Sequence, residues 1–142
     1  TDPASPLFGR AYKALRPRAA DEAAAVPGHG VLIDVRAPER FRGEVEPIDP
    51  VAGHIPGAVN IPVAGLLAPD GLLPDEATLR ERLAPALAAA EAGRTVAAYC
   101  GSGVSAAQAV LALATLGVEA ALYPGSWSAW CHDPTRPVAT GE

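Results

Sequence analysis

The chain has 142 residues, 49% of them apolar and only 5% aromatic, with a formal net charge of −5. That is enough for one domain with a buried core of alanine, valine and leucine, and it excludes disordered and fibrous classes. The acidic balance without any lysine or arginine run excludes nucleic acid as a partner, and no apolar run approaches the roughly 20 residues that cross a bilayer.

Residues 1–18 begin proline-rich and polar and read as a linker or extended arm, leaving residues 19–142 as the domain. Ala19 to Ala25 is a short helix stopped by Pro27-Gly28, and Val31-Leu32-Ile33-Asp34-Val35 is the clearest strand, β-branched and bounded by glycine and a charged loop. The stretch from Arg36 to Pro56 sets Arg36, Arg40 and Arg42 among Glu39, Glu44, Glu46 and Asp49. Its prolines forbid a continuous helix, and a loop of this length inside a compact domain is functional or disordered. Gly53-His54-Ile55-Pro56-Gly57-Ala58 is a turn leading into a second buried strand, Val59-Asn60-Ile61.

Asp75 to Ala92 reads as a helix kinked or split by Pro85 and ended by Gly93. A third strand, Val96 to Tyr99, runs straight into Cys100-Gly101-Ser102-Gly103-Val104-Ser105, and a helix follows to Leu116, stopped by Gly117. Ala120 to Tyr123 is a fourth strand, Pro124 to Trp127 a loop, and the proline-rich tail from Asp133 wraps the surface. Strands alternating with helices give an α/β fold with a central, mostly parallel sheet flanked by helices on both faces. In such sheets the site lies outside the carboxyl ends of the strands, where Asp34-Val35-Arg36, Cys100-Gly101-Ser102 and Gly125-Ser126-Trp127 all fall.

A strand, a glycine loop and a helix amino terminus aim unpaired N–H groups at one spot, which favours the thiolate form of a cysteine placed there. Several chemistries fit Cys100 poorly. A C-x5-R phosphate enzyme needs an arginine where Ala106 stands. A cysteine protease needs a histidine base that no spacing supplies, and a disulfide oxidoreductase needs a second cysteine where Gly103 stands. A lone thiolate in a cradle of amides remains, and such a cradle suits a sulfur-centred anion such as a persulfide.

Three stretches carry a family resemblance: Asp34 to Gly43, Gly53 to Pro62, and Tyr99-Cys100-Gly101-Ser102-Gly103-Val104-Ser105-Ala106 with Tyr123 to Ser128. With them the chain resembles the catalytic, carboxyl-terminal domain of two-domain sulfurtransferases, the family of rhodanese and 3-mercaptopyruvate sulfurtransferase. The resemblance implies a rhodanese-like fold and a ping-pong sulfur transfer. Cys100 matches the nucleophile that forms the persulfide, Arg40 the arginine holding the donor's anionic end, and Asp34 the acidic residue near the site. Gly101, Ser102, Gly103, Val104 and Ser105 match the amide cradle, with Ser102 assisting proton movement. Gly-Ser after the cysteine is the mercaptopyruvate pattern, whereas the thiosulfate type carries cations in this loop. Asp49 departs from that pattern, because mercaptopyruvate enzymes often place a second arginine there.

The partners implied are a small anionic sulfur donor, a thiol or cyanide acceptor, and a preceding amino-terminal domain. No metal or organic cofactor is implied, and two cysteines without metal or disulfide spacing suit a reducing, cytoplasmic setting. Trp127 either lines the pocket or packs, His54 is structural, and Cys131 is a spectator thiol. The competing readings are a non-catalytic interaction domain and a phosphatase or arsenate reductase of the same fold.

Overall fold

The computed structural model describes residues 20–66, 74–101 and 104–141, so the arm expected at 1–18 lies outside the described residues. Helix α1 (Ala20–Ala25) runs into a 3-10 turn at Val26–Gly28, where Pro27 stops it as expected. Strand β1 (Gly30–Asp34) follows, then helix α2 (Pro38–Arg42), strand β2 (Val59–Asn60) and a 3-10 turn at Val63–Leu66. Next come helices α3 (Glu76–Arg82) and α4 (Ala84–Glu91), strand β3 (Thr95–Tyr99), helix α5 (Val104–Thr115), strand β4 (Ala121–Leu122) and helix α6 (Ser126–His132). Asp75 caps α3 by accepting the Thr78 N–H at 2.8 Å, and Pro85 in the first turn of α4 accounts for the split between the two helices.

The four strands form one parallel sheet in the order β2-β1-β3-β4. β1 and β3 lie at its centre, paired from Gly30 opposite Thr95 to Asp34 opposite Tyr99. The two backbones approach so closely at Gly30 that a Cβ there would sit 2.0 Å from the Thr95 carbonyl oxygen. The pleat then sorts side chains by parity. Ile33, Val96 and Ala98 pack with Leu79, Ala86, Ala109, Val110 and Leu113 from α3, α4 and α5. Leu32, Ala97 and Tyr99 face an aromatic layer of Phe41, Trp127 and Trp130 under α1 and α6.

Three expectations need correction. The stretch after Arg36 contains a helical turn, α2, because Pro38 sits at its first position and Gly43 closes it with φ 83°. β2 is an exposed edge strand, with Val59 37% exposed, because the sheet ends there. Ser126 and Trp127 open helix α6 instead of lying in a loop, since burying Trp127, Trp130 and Cys131 on one face selects the helix.

Candidate active site

Cys100 follows β3 directly and sits at the carboxyl end of the sheet, 3% exposed, on the wall of a pocket of about 290 Å³. Its backbone is held by α6. The Cys100 N–H donates to Ser126 Oγ at 3.0 Å, and the N–H groups of Trp127 and Ser128 donate to the carbonyls of Cys100 and Gly101 at 2.9 and 3.0 Å. Ser126 Oγ donates to the Tyr123 carbonyl at 2.8 Å and lies 4.0 Å from Cys100 Sγ. Among the described residues Ser126 alone, glycines aside, has a positive φ, 55°. That conformation puts its hydroxyl under the cysteine.

The opposite wall carries the charge. Arg40 lies over the cysteine loop, close enough that a Cβ on Gly101 would meet its Nη1 at 3.4 Å. Its guanidinium donates to Glu46 Oε1 at 2.8 Å and stands 3.6 Å from Asp49 Oδ2. Glu46 also accepts the N–H groups of Ile48 and Asp49, at 3.3 and 3.0 Å. Burial alone would raise the Glu46 pKa, but the bonds from Arg40 and these amides outweigh it and hold the carboxyl below its ordinary value.

Arg36, four residues before Arg40, is almost wholly enclosed. It donates to Asp34 at 2.7 Å and to the Gly53 carbonyl at 2.6 Å, and lies 4.8 Å from the Trp127 ring centroid. Burial works against its charge, yet the Asp34 carboxylate more than offsets this and its pKa rises. Tyr99 closes the network with its hydroxyl, which bonds to Asp34 and accepts the Ile55 N–H at 3.0 Å. Burial, followed by the Asp34 charge, pushes the Tyr99 pKa well above its ordinary value.

Cys100, Gly101, Ser105 and Arg40 from the sequence reading all line the pocket, and Val104 opens α5 beside it. Ser102 and Gly103 lie outside the described residues. Two residues with alternative roles, Asp34 and Trp127, have these surroundings. Asp34 is fully buried with its oxygens taken by Arg36, so it positions that arginine and does not face the pocket. Trp127 is likewise fully buried, donates its indole N–H to the Val51 carbonyl, and forms the floor beneath Arg36, the packed of its two alternatives. His54 is stacked on Phe41 at 3.8 Å with Nδ1 2.7 Å from the Phe41 carbonyl, placed as a structural residue.

Sequence alone sets Arg36 and Ser126 at the site end of the sheet, Asp49 at a departure from the family pattern and Ser128 in a motif stretch, but gives none of the four a role. Arg36, Asp49 and Ser128 line the pocket, and Ser128 Oγ donates to Asp49 Oδ1 at 2.7 Å. An Asp-x-Arg at a strand end was the available signal for Arg36, since Asp34 can reach the N–H and guanidinium two residues on.

A parallel α/β sheet, with a cysteine and two arginines converging outside its central strands, puts the candidate site where such sheets bind their ligands. The family described as "Rhodanese-like domain" matches residues 17–133, and the chain belongs to that family. It is 54% identical over 114 residues to "Putative thiosulfate sulfurtransferase SseB" of Mycobacterium tuberculosis, covering 80% of this chain and 39% of that protein. It is 52% identical over 113 residues to "Probable 3-mercaptopyruvate sulfurtransferase" of Pseudomonas aeruginosa, covering 78% and 39%. A crystal structure described as a "Probable Thiosulfate Sulfurtransferase" superposes with a TM-score of 0.62 at 34% identity, covering 89% of this chain and 48% of that one. The chain thus spans about two fifths of the length of these curated relatives.

Proposed function

We propose that this domain is a sulfurtransferase in which Cys100 carries the sulfur as a persulfide. The observation that carries the reading is Cys100 at the end of β3, in one pocket with Arg40 and within 4.0 Å of the Ser126 hydroxyl. The relatives named as thiosulfate and 3-mercaptopyruvate sulfurtransferases support it. The Cys100 thiolate attacks the donor's outer sulfur. The bond from that sulfur to the rest of the donor breaks, and sulfite, or pyruvate after taking up a proton, leaves with the electron pair. A thiol or cyanide then removes the terminal sulfur and returns the thiolate.

Arg40 binds the donor's anionic end, and the N–H groups of the cysteine loop stabilise the persulfide charge. The proton role carried over for Ser102 stays part of this proposal. The pocket's two guanidiniums, Arg36 and Arg40, face three carboxylates, Asp34, Glu46 and Asp49. That balance favours a monoanionic donor such as 3-mercaptopyruvate over dianionic thiosulfate. Ala106, at the position a C-x5-R phosphatase would give its arginine, is fully buried in the core, which disfavours phosphate chemistry. The greater length of the relatives supports a second, preceding domain as partner, and a reducing cytoplasmic setting suits chemistry that needs Cys100 as a free thiolate.

Intact-protein mass after exposure to 3-mercaptopyruvate or thiosulfate tests the reading. One added sulfur atom on the wild type, absent in Cys100→Ser, is the expected result. No added sulfur from either donor, with the protein folded, overturns it in favour of a binding domain.

A further inference from the structure

Beside the pocket, α6 ends in Cys131 and His132, and both meet the loop that carries Asp49. One ligating atom from each of Asp49, Cys131 and His132 lies within 4.8 Å of the other two. Around a tetrahedral zinc, with bonds of about 2.0 to 2.3 Å, ligand atoms sit roughly 3.3 to 3.8 Å apart. The three side chains therefore need to close by about an ångström to share a cation.

A second observation points to a missing ligand. The Asp49 side chain is 5% exposed, and its Oδ2 is buried without a hydrogen bond. Oδ1 is fixed by Ser128, one turn before His132 on the same helix, while Oδ2 has only the Arg40 guanidinium at 3.6 Å. A buried carboxylate oxygen left with no hydrogen bond is costly, and a cation would satisfy it.

We propose that Asp49, Cys131 and His132 form a binding site for a thiophilic divalent cation, zinc above all, on the flank of the pocket. A thiolate, an imidazole and a carboxylate are zinc's preferred ligands, whereas magnesium and calcium favour oxygen alone. The carboxyl end of α6 adds the negative end of its dipole. His132 is exposed and gives the ion its way in, Cys131 is buried, and water takes the fourth position. Binding moves one proton from the Cys131 thiol to solvent and no electrons. The proposal does not rest on the sulfur chemistry of Cys100. It does couple to the pocket, because the ion engages the carboxylate that partly neutralises Arg40.

Cobalt(II) titration of the Cys100→Ser variant tests this, since that background holds Cys131 as its one thiol. The expected result is a sulfur-to-cobalt charge-transfer band that saturates at one equivalent, is displaced by zinc, and survives excess magnesium. His132→Ala, at an exposed position that keeps the fold, weakens cobalt binding at least about tenfold, and Asp49→Asn does the same. Absence of the band overturns the proposal, as does a band whose titration neither variant shifts. A band in the wild type that is lost in Cys100→Ser and kept in Cys131→Ser places the metal on the pocket thiol and also overturns it.

Discussion

On one side of the pocket, the residues after β1 bring Arg36, Arg40, Glu46 and Asp49 on a loop with little regular structure. On the other, the residues after β3 and β4 bring Cys100 and Ser126 on segments with no charged side chain from Val96 to Ser105 or from Tyr123 to Cys131. The thiol is placed by covalent continuity with a central strand and by three hydrogen bonds between the cysteine segment and α6, two of them backbone to backbone and one from the Cys100 N–H to Ser126 Oγ. The cations are placed by one another's counter-ions. Losing a residue on the uncharged side should disturb the geometry of one atom, whereas losing one on the charged side should strand a buried partner.

The largest expected effect follows from that contrast. Arg36 and Asp34 are a buried pair, with side chains 2% and 0% exposed. Asp34→Ala leaves the guanidinium enclosed without its main counter-charge and should cost about 3–5 kcal/mol of stability in urea unfolding. Asp34→Ala combined with Arg36→Leu should recover part of the loss, because it removes both buried charges. If the double variant is as unstable as the single one, the pair is not the clamp that holds this loop.

Arg40 is the test of binding as opposed to folding. Its side chain is 18% exposed and it faces the pocket, with Glu46 still supplied by two backbone N–H groups when it is gone. Arg40→Leu should lower kcat/KM for an anionic sulfur donor by roughly one to two orders of magnitude, the worth of a charge-assisted hydrogen bond. Its effect on unfolding should be much smaller than that of Asp34→Ala. Steady-state kinetics beside urea melts separates the two.

The same contrast explains what was legible in the sequence. The sheet could be read because its central strands are short apolar runs between glycines and charged loops, and Cys100 because the strand, glycine loop and helix follow one another without a break. Arg40 is set apart from Arg36 in the sequence only by the family resemblance, and their different burial is not legible there. Both are arginines in one irregular stretch, and only the fold shows that Asp34, Gly53 and Trp127 enclose one while the other stays open. Helix α6 was hidden by its seven residues, too short for its one apolar face to stand out. The meeting of Asp49 with Cys131 and His132 joins positions about 80 residues apart, where no local spacing can signal a cluster.

On the uncharged side, Ser126 is the residue to break. Ser126→Ala leaves the Cys100 N–H and the Tyr123 carbonyl without their partner, and about 1–3 kcal/mol of stability should be lost. Alanine also inherits the φ of 55°. Ser126→Gly removes the same hydrogen bonds but tolerates that backbone, so it should be the more stable of the two. The opposite order in thermal melts would mean that the hydroxyl geometry is not what holds residue 126 there.

The smallest effect concerns the charged side at low pH. Burial raises the Glu46 pKa, and the bonds from Arg40 and the amides of Asp49 and Ile48 more than reverse this, so its folded value lies below the unfolded one. A carboxyl shifted downward contributes stability that is complete above its unfolded pKa, about 4.3, and fades as the pH falls through the lower folded value. Glu46→Gln should therefore be less stable than the wild type by a constant margin near neutral pH, and the margin should shrink below about pH 4. Taking the difference between the two proteins cancels the other carboxyls held below their ordinary values, Glu44, Asp75 and Asp133. Measured in the presence of a chelator, a margin that does not change with pH would show that the clamp owes its strength to shape and hydrogen bonding and not to the Glu46 charge.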